Sequence, residues 1–366
     1  REEAATMLVR VHRRLVGKTD WFHGFYAISS YAQRAVTQEM DAVSAGWSRL
    51  TWSAAAGVVL NTSSSGGNEF SIPTSYESIT SYLEAGGAPL SLDVYASDST
   101  VLTAVLTDEA NRAAAVDAIM AEATRTYDAI GKSPYAGVTI DFEGLRGETM
   151  KAGFTAFLTA LSARLAPLGM TLYVTVQPAT ADGTYYDGFD YRAIGEVADR
   201  VILMAHDYNA TSLSGFEGSS YYKTTALTPL SSVYYSLRAV CDAETGVLDR
   251  SKIALAVSFS SLAWKTEDGL LVSGTPLRPS TSTIYARLKQ EGTVLGWSDT
   301  YRNPYAVYDA DGQEIFLWYE DARSVAEKVK LARLFGITGV SVWRIGLIPD
   351  YDDAGLYYNA LPALTD

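Results

Sequence analysis

The chain has 366 residues, 48% hydrophobic and 19% charged, which is too apolar for a disordered polymer and ample for a buried core. Its formal net charge is −13 and no block of Lys and Arg offsets it, so nucleic acid is not an expected partner. The single cysteine, Cys241, excludes an internal disulfide, and His12, His23 and His206 lack the spacing of a zinc site, so no metal is expected. With 24 Tyr and 7 Trp, the chain is rich in amphipathic rings that suit core packing and sugar faces alike. No apolar run reaches the ~18 residues that span a membrane. The chain begins at Arg1 rather than Met, as a trimmed or mature chain does, so a signal peptide would not be visible.

In chain order, Ala4, Met7, Leu8, Val11 and Leu15 fall at helical spacing with Arg10, Arg13 and Arg14 opposite, predicting an amphipathic helix within residues 1–20. From Trp21 onward, short β-branched and aromatic runs alternate with longer helical ones. The strands expected are Phe22 to Ile28, Arg49 to Ala55, Leu90 to Tyr95, Ala136 to Glu143, Thr171 to Gln177, Arg200 to Asp207, Lys252 to Phe259 and Gly339 to Ile345. Helices are expected over Asn111 to Ile130, Thr149 to Leu165, Pro229 to Ala243 and Ala322 to Phe335. The last carries Glu320 and Asp321 at its start and Lys328, Lys330 and Arg333 later, an order that complements the helix dipole. Cys241 lies in the amphipathic stretch Val233 to Ala243, where a buried, inert thiol is expected.

Eight strands in βα alternation predict an α/β fold, a (β/α)₈ TIM barrel over residues 21–366. Residues 264–318 break the rhythm with Gly, Pro, Thr and Ser clusters, short strand-like pieces such as Tyr305 to Tyr308 and Ile315 to Trp318, and no long helix. They read as a small insertion after strand seven, on or beside the barrel mouth.

The densest chemical signal is Gly137-Val138-Thr139-Ile140-Asp141-Phe142-Glu143. Alternate strand residues share a face, so Val138, Ile140 and Phe142 form an apolar row under the helices, and Gly137, Thr139, Asp141 and Glu143 point into the barrel. That places both carboxylates at the C-terminal mouth, where barrel enzymes work. Two such acids repel each other and lose solvation, which raises at least one pKa, as a general acid requires. The same pair would also fit a strand that ends in solvated acids, and periodicity alone does not choose between the two. No third inward acid is evident nearby.

The segment resembles the glycoside hydrolase family 18 motif Asp-Gly-x-Asp-x-Asp-x-Glu. Glu143 and Asp141 match its last two acids and Gly137 its glycine, whereas its first Asp falls on Ala136 and its middle Asp on Thr139. The resemblance makes Glu143 the acid/base and Asp141 the residue that orients the substrate acetamido group. The family's middle carboxylate tunes that Asp, and Thr139 offers a hydrogen bond without charge. Met204-Ala205-His206-Asp207 resembles the family's Met-x-Tyr-Asp, with His206 in place of a Tyr that contacts the acetamido oxygen. Imidazole has shorter reach and titrates near neutral pH, and a satisfied histidine at the barrel rim is the structural alternative. Asp207 and the following Tyr208 join it as candidate substrate contacts. Gln177 ends strand five on the inward face, within reach of sugar or the acids. Trp343 resembles the family tryptophan that floors the subsite of the reacting sugar, a position that packing alone would also fill.

Trp318-Tyr319-Glu320-Asp321-Ala322-Arg323-Ser324, followed by Gly339-Val340-Ser341-Val342-Trp343-Arg344-Ile345-Gly346, is similar to the spore-germination and cortical-fragment-lytic branch of the family. The resemblance implies a retaining glycosidase acting on β-linked N-acetylglucosamine in peptidoglycan or spore-cortex-type glycans by substrate-assisted catalysis. A monomer is expected, and the resemblance implies that it needs no cofactor, binds an N-acetylated glycan, and resides outside the cell, in the cell envelope or in the spore. Because two motif acids and the Tyr are replaced, a non-catalytic carbohydrate-binding barrel and a structural envelope protein stand as alternatives.

Overall fold

The computed structural model describes residues 2–16, 18–180, 187–206, 208–353 and 355–365, with the side chains of 11–16 left aside. Helix α1 (Glu2–Val16) comes first, and its Met7 and Leu8 stay exposed, so the apolar stripe is not buried at that end. Strand β1 (Trp21–Tyr26) leads through a 3₁₀ stretch to β2 (Ala42–Ser53), which folds back on β3 (Gly57–Asn61) as a hairpin. Helices and strands then alternate: α2 (Tyr76–Gly86), β4 (Leu90–Ala96), α3 (Ser99–Thr107), α4 (Glu109–Ala123), β5 (Tyr135–Phe142), α5 (Gly147–Leu165), β6 (Thr171–Val176), α6 (Tyr191–Val197), β7 (Arg200–Met204), α7 (Leu230–Val240) and β8 (Ile253–Ser258). Next comes a five-stranded antiparallel sheet built from β9 (Leu262–Glu267), β10 (Leu270–Leu271), β11 (Val294–Ser298), β12 (Asn303–Ala310) and β13 (Gln313–Trp318), with α8 (Thr281–Leu288) between β10 and β11. The chain returns through α9 (Ala322–Leu334) and β14 (Gly339–Trp343) to α10 (Leu361–Thr365).

Parallel pairing runs β1, β2, β4, β5, β6, β7, β8, β14, and β14 pairs back to β1, so the sheet closes into the eight-stranded α/β barrel that the strand count predicts. Outward residues such as Val138, Ile140 and Phe142 sit in the main core with the helices, where Phe142 meets Phe157 at a ring-centroid distance of 5.2 Å. Burying each such side chain is worth roughly 1.5–3 kcal/mol. A separate interior cluster joins Trp21, Phe25, Ala42, Tyr173, Ile202, Ala254 and Ala256. Gly137 is required where β5 meets β6, because a Cβ there would stand 2.1 Å from the Thr171 hydroxyl.

Three expectations shift. The second barrel strand starts at Ala42, before the predicted Arg49, and Arg49–Ser53 pairs with β3. Its inward row of Ala42, Ser44 and Gly46 is small because the barrel interior is crowded, so it lacks the β-branched signature of a strand. Helix α4 ends at Ala123 rather than Ile130, as Tyr127, buried off the helix end, shares a 2.7 Å hydrogen bond with the Tyr135 hydroxyl. At α9, Asp321 caps the helix as its position suggests, accepting from Arg323 and Ser324 amides at 2.9 and 3.0 Å. Lys328 does not complement the dipole from solvent: it is buried and pairs with the buried Glu320 at 2.7 Å.

The inserted sheet has a core on each face. Leu262, Trp264, Phe316 and Trp318 pack against Leu213, Tyr222, Ala226 and Leu227 from the segment after β7. Ala263, Ile315, Leu317 and Tyr308 pack against Ile284 and Leu288 of α8. Among the described residues no helix is long and apolar enough to cross a membrane.

Candidate active site

The acids stand at the C-terminal end of β5, where closure of the sheet brings the inward rows of all eight strands together. Asp141 is 2% exposed, and its Oδ1 accepts a 2.7 Å hydrogen bond from Thr175 on β6. Burial raises its pKa to about 6, with the Thr175 hydroxyl and then His206 acting in the opposite direction. Glu143 is partly exposed just beyond the strand, and its backbone N–H donates to the Ala96 carbonyl at 2.9 Å, tying it to the end of β4. This arrangement offers one carboxyl to the mouth and keeps another dry beside it, as proton transfer next to an oriented, slightly basic group requires.

The expectation of no third inward acid is overturned. Ser91, Asp93 and Tyr95 of β4 pair in register with Gly137, Thr139 and Asp141, so they share the inward face. Asp93 is 0% exposed, and its carboxyl is driven well above the ordinary range by burial, then by the charges of Asp141 and Glu143. Tyr95, whose phenol is also pushed up by burial and by both acids, stacks on Phe70 with centroids 4.3 Å apart. The signal was present in the sequence as Ser-x-Asp-x-Tyr, a polar row inside an otherwise apolar strand.

Beneath the acids, hydroxyls and one imidazole form a dry chain. Thr139 lies 2.6 Å from the Ser44 hydroxyl and donates to Ser91 at 2.9 Å; His23 joins Ser44 and Ser341, each at 2.8 Å. The Thr139 hydrogen bond thus serves this layer rather than Asp141. Burial lowers the His23 pKa to about 3, which keeps its ring neutral and available as donor at one nitrogen and acceptor at the other.

His206 follows β7, is 7% exposed, and acts electrostatically on Asp141, so the barrel brings it to the acids. Gln177 follows β6 and accepts a hydrogen bond from the Gly144 amide, which fixes the backbone next to Glu143. Trp343 ends β14 against Phe25, at 5.2 Å between centroids, and lines a cavity of about 400 Å³ with Phe25, Tyr26, Gly46 and Phe70. Asp141 and Glu143 are not in that lining. The Phe70–Tyr95 stack and Gly46 connect the cavity to the acid cluster. Tyr208 is not brought to the acids: its hydroxyl lies 2.8 Å from Ser236 on α7, and burial raises its pKa. Asp207 lies outside the described residues. Cys241 is buried, with its thiol pushed up to about 11 by burial, which leaves little reactive thiolate.

The sequence profile of the family described as Glycosyl hydrolases family 18 matches residues 95–347. The cortical fragment-lytic enzyme of Bacillus anthracis is 28% identical over 216 residues, covering 57% of this chain and 46% of that protein. The chain therefore spans about half the length of the curated relatives it matches. The Bacillus cereus spore cortex-lytic enzyme SleL superposes with a TM-score of 0.69 at 21% identity, covering 94% of this chain and 74% of that one. A family 18 chitinase from Cycas revoluta, solved in complex with (GlcNAc)4, gives 0.67 at 15% identity over 94% of this chain and 99% of the other. At these identities the structural likenesses establish the barrel fold alone.

Proposed function

The chain belongs to glycosyl hydrolase family 18, and from that premise we propose that it is a retaining glycosidase. Its substrate is β-linked N-acetylglucosamine in peptidoglycan or spore-cortex-type glycan, and catalysis is substrate-assisted. The observation that carries the reading is the pairing of partly exposed Glu143 with dry, Thr175-held Asp141 at the barrel mouth. Glu143 protonates the leaving oxygen, Asp141 aligns the acetamido group as its oxygen attacks the anomeric carbon, and Glu143 then activates water to open the cyclic intermediate. Trp343 floors the sugar site, and Gln177 steadies the loop that carries Glu143.

The alternative nucleophile would be a protein carboxylate. A retaining pair flanks the scissile bond at ~5 Å from different positions, whereas Asp141 and Glu143 lie on one strand and one face. Asp93 is fully buried and cannot reach a sugar. The expected first product on an N-acetylglucosamine oligomer therefore has the β configuration, seen by proton NMR before mutarotation. A thiazoline mimic of the cyclised sugar inhibits competitively, and a glucose-only analogue is inert. An initial α anomer defeats the mechanism even if Glu143 proves essential.

His206 takes the place of the family tyrosine on the acetamido oxygen. His206→Ala is expected to weaken binding or turnover of the oligomer, and His206→Tyr to retain or raise activity. Equal loss in both variants, each shown folded by circular dichroism, rejects the acetamido contact. Turnover of a chromogenic N-acetylglucosamine oligomer separates an enzyme from a sugar-binding barrel, and mass analysis of digested peptidoglycan identifies the bond cut.

A further inference from the structure

Asp93 is an inward carboxylate that the mechanism above does not use. Among the described residues, both of its oxygens are buried without a hydrogen-bond partner. The nearby hydroxyls are committed elsewhere: Ser48 donates to the Asp93 main-chain carbonyl at 2.6 Å, and Ser91 is bonded to Thr139. Oδ2 lies 3.8 Å from where a Cβ would stand on Gly46, so β2 meets this carboxyl with open space rather than with a donor. A carboxyl placed for packing alone would be poorly suited here, since an unpaired buried polar group is costly.

Strand β5 runs between β4 and β6, and Thr175 on β6 already holds Asp141 from one flank. Register puts Asp93 beside Thr139, on the other flank and one inward step below Tyr95, the partner of Asp141. We propose that Asp93 is a positioning residue for Asp141: a neutral carboxyl on β4 that offers its proton as a hydrogen bond to the Asp141 carboxylate. It thereby supplies from the adjacent strand the acid that position 139 lacks. The proposal rests on the substrate-assisted reading, in which Asp141 must be held in line.

The titratable groups that bear on Asp93 are Asp141 and Glu143 on β5, with Tyr95 above it on its own strand. Arg49 on β2 is engaged with Glu69 at 2.6 Å and lies over the Phe70 and Tyr95 rings. His206 on the far side acts on Asp141. Desolvation, then the charges of the neighbouring Asp141 and Glu143, raise the Asp93 carboxyl well above the ordinary range, which favours its neutral form. Neutral Asp93 also spares the mouth a third negative charge.

The test compares wild type, Asp93→Asn, Asp93→Ala and Asp93→Ala combined with Thr139→Asp, assayed for kcat and KM on an N-acetylglucosamine oligomer and for melting temperature from pH 3 to 8. Asp93→Ala is expected to lower kcat by ~10–100-fold with KM within ~3-fold. Asp93→Asn, which keeps an N–H donor, is expected to be at least ~5-fold faster than the alanine variant, and Thr139→Asp to recover at least ~5-fold of the loss. Unchanged kcat in folded Asp93→Ala overturns the proposal, as does a slow alanine variant that neither asparagine nor Thr139→Asp improves.

The melting arm needs no turnover. An unfolded Asp titrates near ~3.9, whereas a proton-holding folded Asp93 titrates higher, so wild type loses stability relative to Asp93→Asn as pH rises above ~4. Below that pH the two differ by a constant amount. A difference that stays flat to pH 8 overturns the proposal whatever the enzyme does. If no protein turns over the oligomer, wild type included, the glycosidase reading fails while the melting curves still decide whether Asp93 keeps its proton.

Discussion

Glu143→Gln is expected to lower turnover of an N-acetylglucosamine oligomer by a factor of at least ~10² while leaving the fold intact. The amide matches the acid in size and removes only the titrating proton. The element that presents it does not depend on the side chain: the Glu143 amide bonds the Ala96 carbonyl at 2.9 Å, and β5 is paired on both sides. Phe142, fully buried next to it, anchors the strand end in the core against Phe154 and Phe157. A thermal melt matching wild type, together with the rate loss, assigns the loss to chemistry. An undiminished rate would remove Glu143 from the mechanism and leave sugar binding as the function of the mouth. Binding of the oligomer, measured by calorimetry, should survive the substitution within about an order of magnitude, because the amide still hydrogen-bonds.

The largest expected effect on stability lies away from the acids, at the junction of the inserted sheet with α9. Lys328 and Glu320 are both nearly inaccessible, their charged atoms are 2.7 Å apart, and Glu320 also accepts from Asn303 and Ser324 at 2.5 and 2.6 Å. Lys328→Met removes the one cation and leaves a carboxylate buried, at a cost of roughly 3–5 kcal/mol in urea unfolding. Adding Glu320→Gln removes the stranded charge while keeping an acceptor for Asn303 and Ser324. The double variant is therefore expected to unfold at a higher urea concentration than Lys328→Met alone. A single variant within about 1 kcal/mol of wild type would mean that water reaches the pair.

What the amino-acid order determined by itself was whatever depends on local periodicity and on short-range chemistry. Alternation along residues 137–143 put the apolar side chains outward and the acids inward, and the structure keeps that division because a one-residue slip would exchange every side chain between core and mouth. The succession of β and α segments was enough for a closed barrel, since right-handed crossovers leave little choice once eight strands alternate with helices. The cap at Asp321 was equally local, a carboxylate two and three residues before the amides it receives.

Only the tertiary structure decided which distant residues share a place. Asp93 stands 48 residues before Asp141, and nothing in its own strand says that the pairing of β4 with β5 will set it beside Thr139, one inward step below that acid. The small inward row of β2 falls outside the expected strand, Arg49 to Ala55, and the crowded barrel interior explains its size. Tyr208 follows His206 closely, yet its ring is drawn to Ser236 and the helix layer, while His206 faces Asp141. Lys328 reads as a solvated helix charge until Glu320 is seen buried beside it. In each case the deciding quantity is burial. The free energy of a charge or a ring depends on what surrounds it in three dimensions, and that environment is assembled by contacts between strands that lie far apart along the chain.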